Sequence, residues 1–166
     1  MGKFASILGI LIIIAVIVLC IPLTVPKFLG MDSYSVISGS MEPAIPTGSL
    51  VYSKYQDPET IEAGDVIVFN DAVLAGETMG DIPVVTHRVV KNDEANQEFV
   101  TKGDANKQED MAPIPYNNLI GKVIFHIPVL GRLDIVFATM SGKLAMIAAI
   151  LGGLILNILG KKLDSM

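Results

Sequence analysis

The sequence predicts a mostly β protein: a compact antiparallel β-domain held between an N-terminal and a C-terminal transmembrane helix. Three observations predict this. Two long uncharged apolar runs stand near the ends of the 166-residue chain. Between them lie five short runs rich in Val, Ile, Phe, Tyr and Thr, separated by turn signals. That middle region shows no convincing 3.6-residue apolar period. With 51% hydrophobic and only 17% charged residues, the chain is too apolar for an ordinary soluble domain.

The first apolar run is FASILGILIIIAVIVLCIPLTVP, residues 4–26, bounded by Lys3 and Lys27. At about 1.5 Å per residue it crosses a hydrocarbon core of about 30 Å, even with unwinding at Pro22 and Pro26. It exceeds the apolar core of a cleaved signal peptide, and no A-x-A site follows it. A lipoprotein reading would use Cys20, but the residue before such a cysteine should be small, and Leu19 is not. The run therefore reads as an uncleaved anchor. The second run, LAMIAAILGGLILNILG (residues 144–160), lies at the short edge of the spanning range, with Lys143 placed to snorkel. Lys3, Lys161 and Lys162 flank the outer ends, which predicts both termini cytoplasmic and residues 28–142 extracytoplasmic; Lys27 opposes this bias. The middle region carries seven Lys/Arg against sixteen Asp/Glu, a net charge of −9. That acidity argues against nucleic-acid binding. The lone Cys20 forms no internal disulfide, and with two histidines it offers no metal-ligand spacing.

The predicted strands of the middle region are LVYSKY (50–55), DVIVFN (65–70), VVTHRVV (84–90), EFVTK (98–102) and LIGKVIFHI (119–127). PTGS from Pro46, EAGD from Glu62, KNDE from Lys91 and KGDAN from Lys102 read as the turns between them. DAVLAGETMGD (71–81) and NKQEDMAPIP (106–115) read as loops.

A serine hydroxyl is a poor nucleophile unless a base lies within hydrogen-bond reach. The turn SGSMEP (38–43) supplies Ser38 and Ser40, and the two histidines are His87 and His126. His87 sits in a β-run between Thr86 and Arg88, and Asp104 and Asp110 follow a later strand. Residue types and spacing alone do not bring these groups together, and on them alone the serines read as ordinary turn residues.

Four boxes in order, SGSMEP (38–43), GDVIVF (64–69), THRVV (86–90) and TKGDAN (101–106), follow an N-terminal anchor. Together they resemble the type I signal peptidases. The histidine-bearing branch is the more similar one: the endoplasmic reticulum and archaeal type, also found in some Gram-positive bacteria. The usual bacterial branch has a lysine base where this chain has His87. The resemblance covers roughly residues 5–131. It implies the β-fold of that family and a membrane-bound serine endopeptidase that removes signal peptides from exported precursors. Ser40 would be the nucleophile and His87 the general base. Two aspartates match the family pattern, Asp104 and Asp110; Asp110 is favoured as the partner of His87, with Asp104 organising the loop through backbone amides. The Ser40 N–H and the Ser38 hydroxyl would form the oxyanion hole. No metal or cofactor is implied. The partners would be signal-peptide-bearing preproteins and the lipid membrane, with small specificity pockets near Ile37, Ile45 and Val84–Val90.

Other residues have plainer readings. Met41 reads as an apolar contact, Lys91 as part of a solvated turn, His126 as structural, and Gly64–Asp65 as a turn before a core strand. Two other functions fit parts of the pattern. One is a self-cleaving serine protease of related fold, against which the anchors and His87 argue. The other is a non-enzymatic anchored β-module that binds secreted proteins.

Overall fold

The computed structural model describes residues 2–71 and 83–165, so the predicted loop at 71–81 lies, apart from Asp71, outside the described residues. The chain divides into two compact units. One is residues 29–132; the other combines residues 1–28 with 133–166.

The β-unit is a single curled sheet of seven strands, antiparallel throughout. The strands are β1 (Asp32–Ser35), β2 (Leu50–Lys54), β3 (Val66–Asn70), β4 (Val84–Asp93), β5 (Glu98–Lys102), β6 (Ile114–Pro115) and β7 (Leu119–Ile127). Their spatial order is β1-β2-β7-β3-β4-β5-β6. All five predicted strands are present, with ends shifted by a residue at β2 and β3. β4 runs three residues past its predicted end. Lys91 therefore lies in a strand rather than a turn, and pairs with Asp93 at 2.7 Å. The turn follows at 94–97, where Gln97 takes a positive φ of 55°. The short strands β1 and β6 have no sequence run long enough to announce them.

Successive strand residues face opposite sides, and the curl buries both sides of β3. Ile67 and Phe69 join Ile61, Val89, Phe99, Ile114 and Leu119 in one core cluster. Val68 between them joins Met41, Ile45 and Val51 in a second. Met41 is 1% exposed, which settles its role as a core contact.

The second unit is helical. Helix α1 spans Gly2–Phe28, and α3 spans Met140–Asp164. Both are long and apolar enough to cross a membrane. α1 stays helical through Pro22 and Pro26, so the unwinding that the length of the run allowed for does not occur. Thr24 Oγ1 donates to the Cys20 carbonyl at 2.8 Å in the same turn. α3 has 25 residues, longer than the uncharged run, because Lys143, Lys161 and Lys162 remain within it. Thr139 caps its start by accepting from the Gly142 N–H at 3.0 Å. The two helices pack against each other antiparallel, with Gly2 beside Gly160 and Gly9 beside Gly153. A Cβ at Gly9 would stand 2.3 Å from the Gly153 carbonyl oxygen, so only glycine permits this approach. Asn157 Nδ2 donates to Ser6 O at 3.1 Å and to Ser6 Oγ at 2.9 Å, satisfying a polar group within the apolar pair. A further helix, α2 (Leu130–Ala138), was not expected from the sequence. Six of its nine residues are apolar, and they do not stand out against the apolar sequence around them.

Candidate active site

The segment carrying Ser38 and Ser40 is closed at its base and pinned at its middle. The Val36 N–H donates to Ser49 O at 2.9 Å, and the Gly48 N–H donates to Val36 O at 2.8 Å. Gly48 has a φ of +88°, and a Cβ there would meet Arg132 Nε at 2.7 Å. Between these ends, Met41 and Ile45 sink into the core. Ser40 is thus half-buried while its neighbour Met41 is fully anchored. The Glu42–Pro43 peptide bond is cis. Thr47 donates to Glu42 Oε1 from its hydroxyl at 2.8 Å and from its N–H at 3.3 Å, which holds the Glu42 carboxyl below its ordinary pKa. Ser38 Oγ stands 3.4 Å from Ser40 Oγ.

His87 comes from β4, opposite Ile67 of β3. The pairing of β4 with β5 begins one residue later, at Arg88↔Lys102. Beyond Lys102 the chain leaves the sheet and passes beside the imidazole. Gly103 is the point of closest approach. A Cβ built there would lie 2.7 Å from Ser40 O, 2.8 Å from Asn106 Nδ2 and 3.0 Å from His87 Nε2. The missing side chain lets the backbone fit between the Ser40 carbonyl and the His87 ring. The next residue but one completes the clasp: the Ala105 N–H donates to Ser40 O at 2.8 Å. Three distant segments, around residues 40, 87 and 103–106, therefore meet at one place.

The loop then returns to β5. The Asp110 N–H donates to Thr101 O at 2.9 Å, and Thr101 Oγ1 donates to Asp110 Oδ2 at 2.6 Å. The same Oδ2 lies 2.6 Å from His87 Nδ1. An ionised carboxylate only accepts, so with a neutral ring this contact would put the imidazole proton on Nδ1 and leave the lone pair on Nε2. His87 is only 9% exposed, and Phe69 meets its ring edge-on at 6.3 Å between centroids.

Asp104 goes elsewhere. Arg88 grips it with two donors, Nε to Oδ1 at 2.8 Å and Nη2 to Oδ2 at 2.6 Å. The third nitrogen, Nη1, donates to Gly64 O at 2.7 Å. The Arg88 hydrogen bonds, with its charge, hold the Asp104 carboxyl below its ordinary pKa. Asp104 lowers the acidity of the guanidinium in return. The expected backbone-amide role of Asp104 is thus replaced by a side-chain ion pair. Sequence reasoning noted Arg88 and Thr101 only as neighbours within boxes. Adjacent strand residues point to opposite faces, so a His-Arg dipeptide in a strand can draw one carboxylate to each side. That signal was present in THRVV and unused.

Cavities open beside Ser40 and beside His87. One of about 180 Å³ is lined by Tyr34, Val36, Ile37, Ser38, Ser40 and Met41 on one side and Val84, Val85 and Thr86 on the other, with Ser35. Ile37 and the start of β4 are where the specificity pocket was expected; Ile45 lies in the core instead. The other, about 690 Å³, opens beside His87 and Asp110. His126 lies in β7 opposite Val51.

No protein-family model matches the chain. Among curated proteins, signal peptidase I W of Bacillus subtilis (strain 168) is 40% identical over 98 residues, covering 57% of this chain and 47% of the relative. The signal peptidase complex catalytic subunit SEC11C of Rattus norvegicus is 30% identical over 131 residues, covering 73% of this chain and 65% of the relative. The SEC11 subunit of Ajellomyces capsulatus (strain H143) is 30% identical over 118 residues, covering 62% and 63%. These relatives, at modest identity, support a type I signal peptidase-like protein. The chain spans from 47% to 65% of the length of these relatives. Its two apolar helices fit a membrane protein. The curled antiparallel sheet of this signal peptidase-like chain matches the expected mostly β class.

Proposed function

We propose that the protein is a membrane-bound serine endopeptidase that removes signal peptides from exported precursors. The observation that supports the reading is the close approach of Gly103 to both the Ser40 carbonyl and His87 Nε2, with Asp110 on the other nitrogen of the ring. The kinship with signal peptidases supplies the substrate class.

The chemistry follows from the proton positions. His87 Nε2 takes the Ser40 hydroxyl proton as Oγ attacks the scissile carbonyl. Asp110 stabilises the imidazolium and keeps the ring oriented, and Thr101 steadies the carboxylate. The oxyanion is received by the Ser40 N–H and the Ser38 hydroxyl. The C–N bond then breaks, His87 gives its proton to the leaving amine, and an ester to Ser40 remains. Water, deprotonated by His87, hydrolyses that ester. Every step is carried by protein groups.

The substrate binds extended. Residues 84–87 of β4 pair with β3 on one side and, among the described residues, have no strand on the other, since β5 joins only at Arg88. Residues 36–38 face them across the 180 Å³ cavity. A peptide strand laid between the two segments gains main-chain hydrogen bonds, and the small cavity accepts only small side chains before the cut. Residues 28–142 are then the extracytoplasmic catalytic domain, and residues 4–26 and 144–160 the transmembrane segments. The antiparallel helix pair, with Gly2 beside Gly160, supports both termini on one side, and the flanking lysines support the cytoplasmic side.

The test is preprotein cleavage by membranes carrying the wild-type chain, Ser40→Ala or His87→Ala at equal levels. Cleavage by wild type alone is the expected result. Normal cleavage by both variants would overturn the reading.

A further inference from the structure

We propose that Glu42 and Thr47 are positioning residues of the oxyanion hole: they hold the two peptide groups that lead into Ser40, and so aim the Ser40 N–H and the Ser38 hydroxyl at the developing charge. The inference rests on Ser40 as nucleophile. The Ser40 N–H belongs to the peptide group whose carbonyl is Gly39 O. In a planar trans peptide the N–H and C=O point in opposite directions, so whatever holds one end aims the other. The Glu42 N–H donates to Gly39 O at 3.1 Å. The preceding peptide group is held at its own carbonyl, where Thr47 Oγ1 donates to Ser38 O at 3.2 Å. Ser38 Oγ, 3.4 Å from Ser40 Oγ, is carried on that same backbone.

Gly39 stands between these two groups, and without a Cβ it has the widest choice of φ and ψ. The orientation of the Ser40 N–H therefore needs support from outside the turn. Glu42 and Thr47 close over Gly39: a Cβ there would stand 3.5 Å from Glu42 Cδ and 3.6 Å from Thr47 Oγ1. The pair is tied together at one oxygen. Glu42 Oε1 accepts from Thr47 Oγ1 at 2.8 Å and from the Thr47 N–H at 3.3 Å. The single hydrogen of the Thr47 hydroxyl is shared between Glu42 Oε1 and Ser38 O, while the N–H bond keeps Thr47 in place. These bonds from Thr47 hold the Glu42 carboxyl below its ordinary pKa, so it stays an ionised acceptor at neutral pH. Both side chains are exposed, whereas Met41 and Ile45 beside them are buried. The buried residues place the segment in the fold, and the exposed pair acts on its tip. Removing the pair leaves the core packing intact.

The experiment uses the full chain in detergent and a peptide spanning a signal-peptide cut. It measures kcat, KM and thermal unfolding for the wild type, Glu42→Ala, Thr47→Val, Thr47→Ser and the double variant Glu42→Ala/Thr47→Val. In Glu42→Ala and in Thr47→Val, kcat should fall about ten-fold with KM within about two-fold of wild type, because only the transition state uses the hole. The double variant should lose about as much as either single one, since both act through one latch. Thr47→Ser keeps the hydroxyl and should keep kcat. Unchanged kcat in either single variant, a loss that falls on KM, or a Thr47→Ser as slow as Thr47→Val overturns the inference. A loss of kcat matched by a lower unfolding temperature also overturns it, in favour of a folding role. In each of these cases Ser40-dependent cleavage by the wild type leaves the functional reading standing. Cleavage that persists in Ser40→Ala overturns that reading and this inference with it.

Discussion

Replacing Asp110 with Asn, beside the same change at Asp104, tests the proposal that Asp110 serves catalysis through His87 while Asp104 serves the fold through Arg88. Asp110 Oδ2 faces two groups at once, His87 Nδ1 and Thr101 Oγ1, each at 2.6 Å. An asparagine of the same shape can turn its amide nitrogen toward His87. The imidazole then accepts at Nδ1 and carries its proton on Nε2, where it cannot act as a base toward Ser40. The expected loss is about 10³- to 10⁴-fold in kcat with little change in KM, the size that a wrong tautomer produces in Ser-His-Asp sites. Asp104 touches neither Ser40 nor the ring. Asp104→Asn keeps the Ala105 bond to the Ser40 carbonyl, which comes from the backbone. It removes a two-pronged ion pair whose arginine side chain is 36% exposed, so solvent screening holds the loss to about 1 kcal/mol of stability. Its expected effect on kcat is about ten-fold, through a looser loop. Peptide cleavage at saturating and limiting substrate, with thermal unfolding of each variant, measures both quantities. Equal losses of kcat in the two variants, or a larger one in Asp104→Asn, would refute the assignment of Asp110 to His87.

Five further outcomes follow from the structure. Stability from the Arg88–Asp104 pair rests on a lowered carboxyl pKa, so it is fully present above the carboxylate range of the unfolded chain. It is lost as pH falls through the lower native value, and acid unfolding of Asp104→Asn should lack that component. Ser38→Ala should lower kcat by about 10- to 100-fold with KM kept, if its hydroxyl receives the oxyanion; unchanged kcat removes it from that role. Gly103→Ala places a methyl 2.7 Å from the Ser40 carbonyl and 3.0 Å from His87 Nε2. Cleavage should fall about 100-fold or more while the chain still folds, as read by protease resistance. In the helix pair, Gly153→Leu places its Cβ 2.8 Å from the Gly9 carbonyl and should destabilise the pair in detergent by about 1–3 kcal/mol. Asn157→Leu, which loses two bonds to Ser6, should cost about 0.6 kcal/mol in the same assay.

What the sequence disclosed depends on how local each feature is. The five main strands were legible because β-branched and aromatic runs ended at Gly, Pro, Asn and Asp turns. The turn after β4 was misplaced because KNDE looks like a turn by composition, while Asn92 serves the fold from within a strand. Its amide donates to Pro58 O and Ile61 O at 2.9 and 2.8 Å. β1 and β6 exist only because a neighbour is there to pair with, and no local run specifies that. Helix α2 was hidden for the opposite reason, since apolar residues surround it on the sequence side of the second span.

The two aspartates show where spacing stops and registry begins. Asp104 and Asp110 are six residues apart in a loop, and no count along the chain ranks them. The sheet ranks them. His87 shares its face with Val89, and Thr101 shares its face with Phe99; Val89 and Phe99 lie in one core cluster. Thr101 is therefore on the imidazole's side, and it draws Asp110 back by a backbone bond and a hydroxyl bond. Arg88, one residue on, points the other way and takes Asp104 as the loop leaves the sheet. A strand that presents a base on one face and a cation on the other thus sorts two similar carboxylates without any difference in their own sequence surroundings. The same sorting makes the loop rigid at both ends, and Gly103, lying between them, can hold the Ser40 carbonyl against the ring.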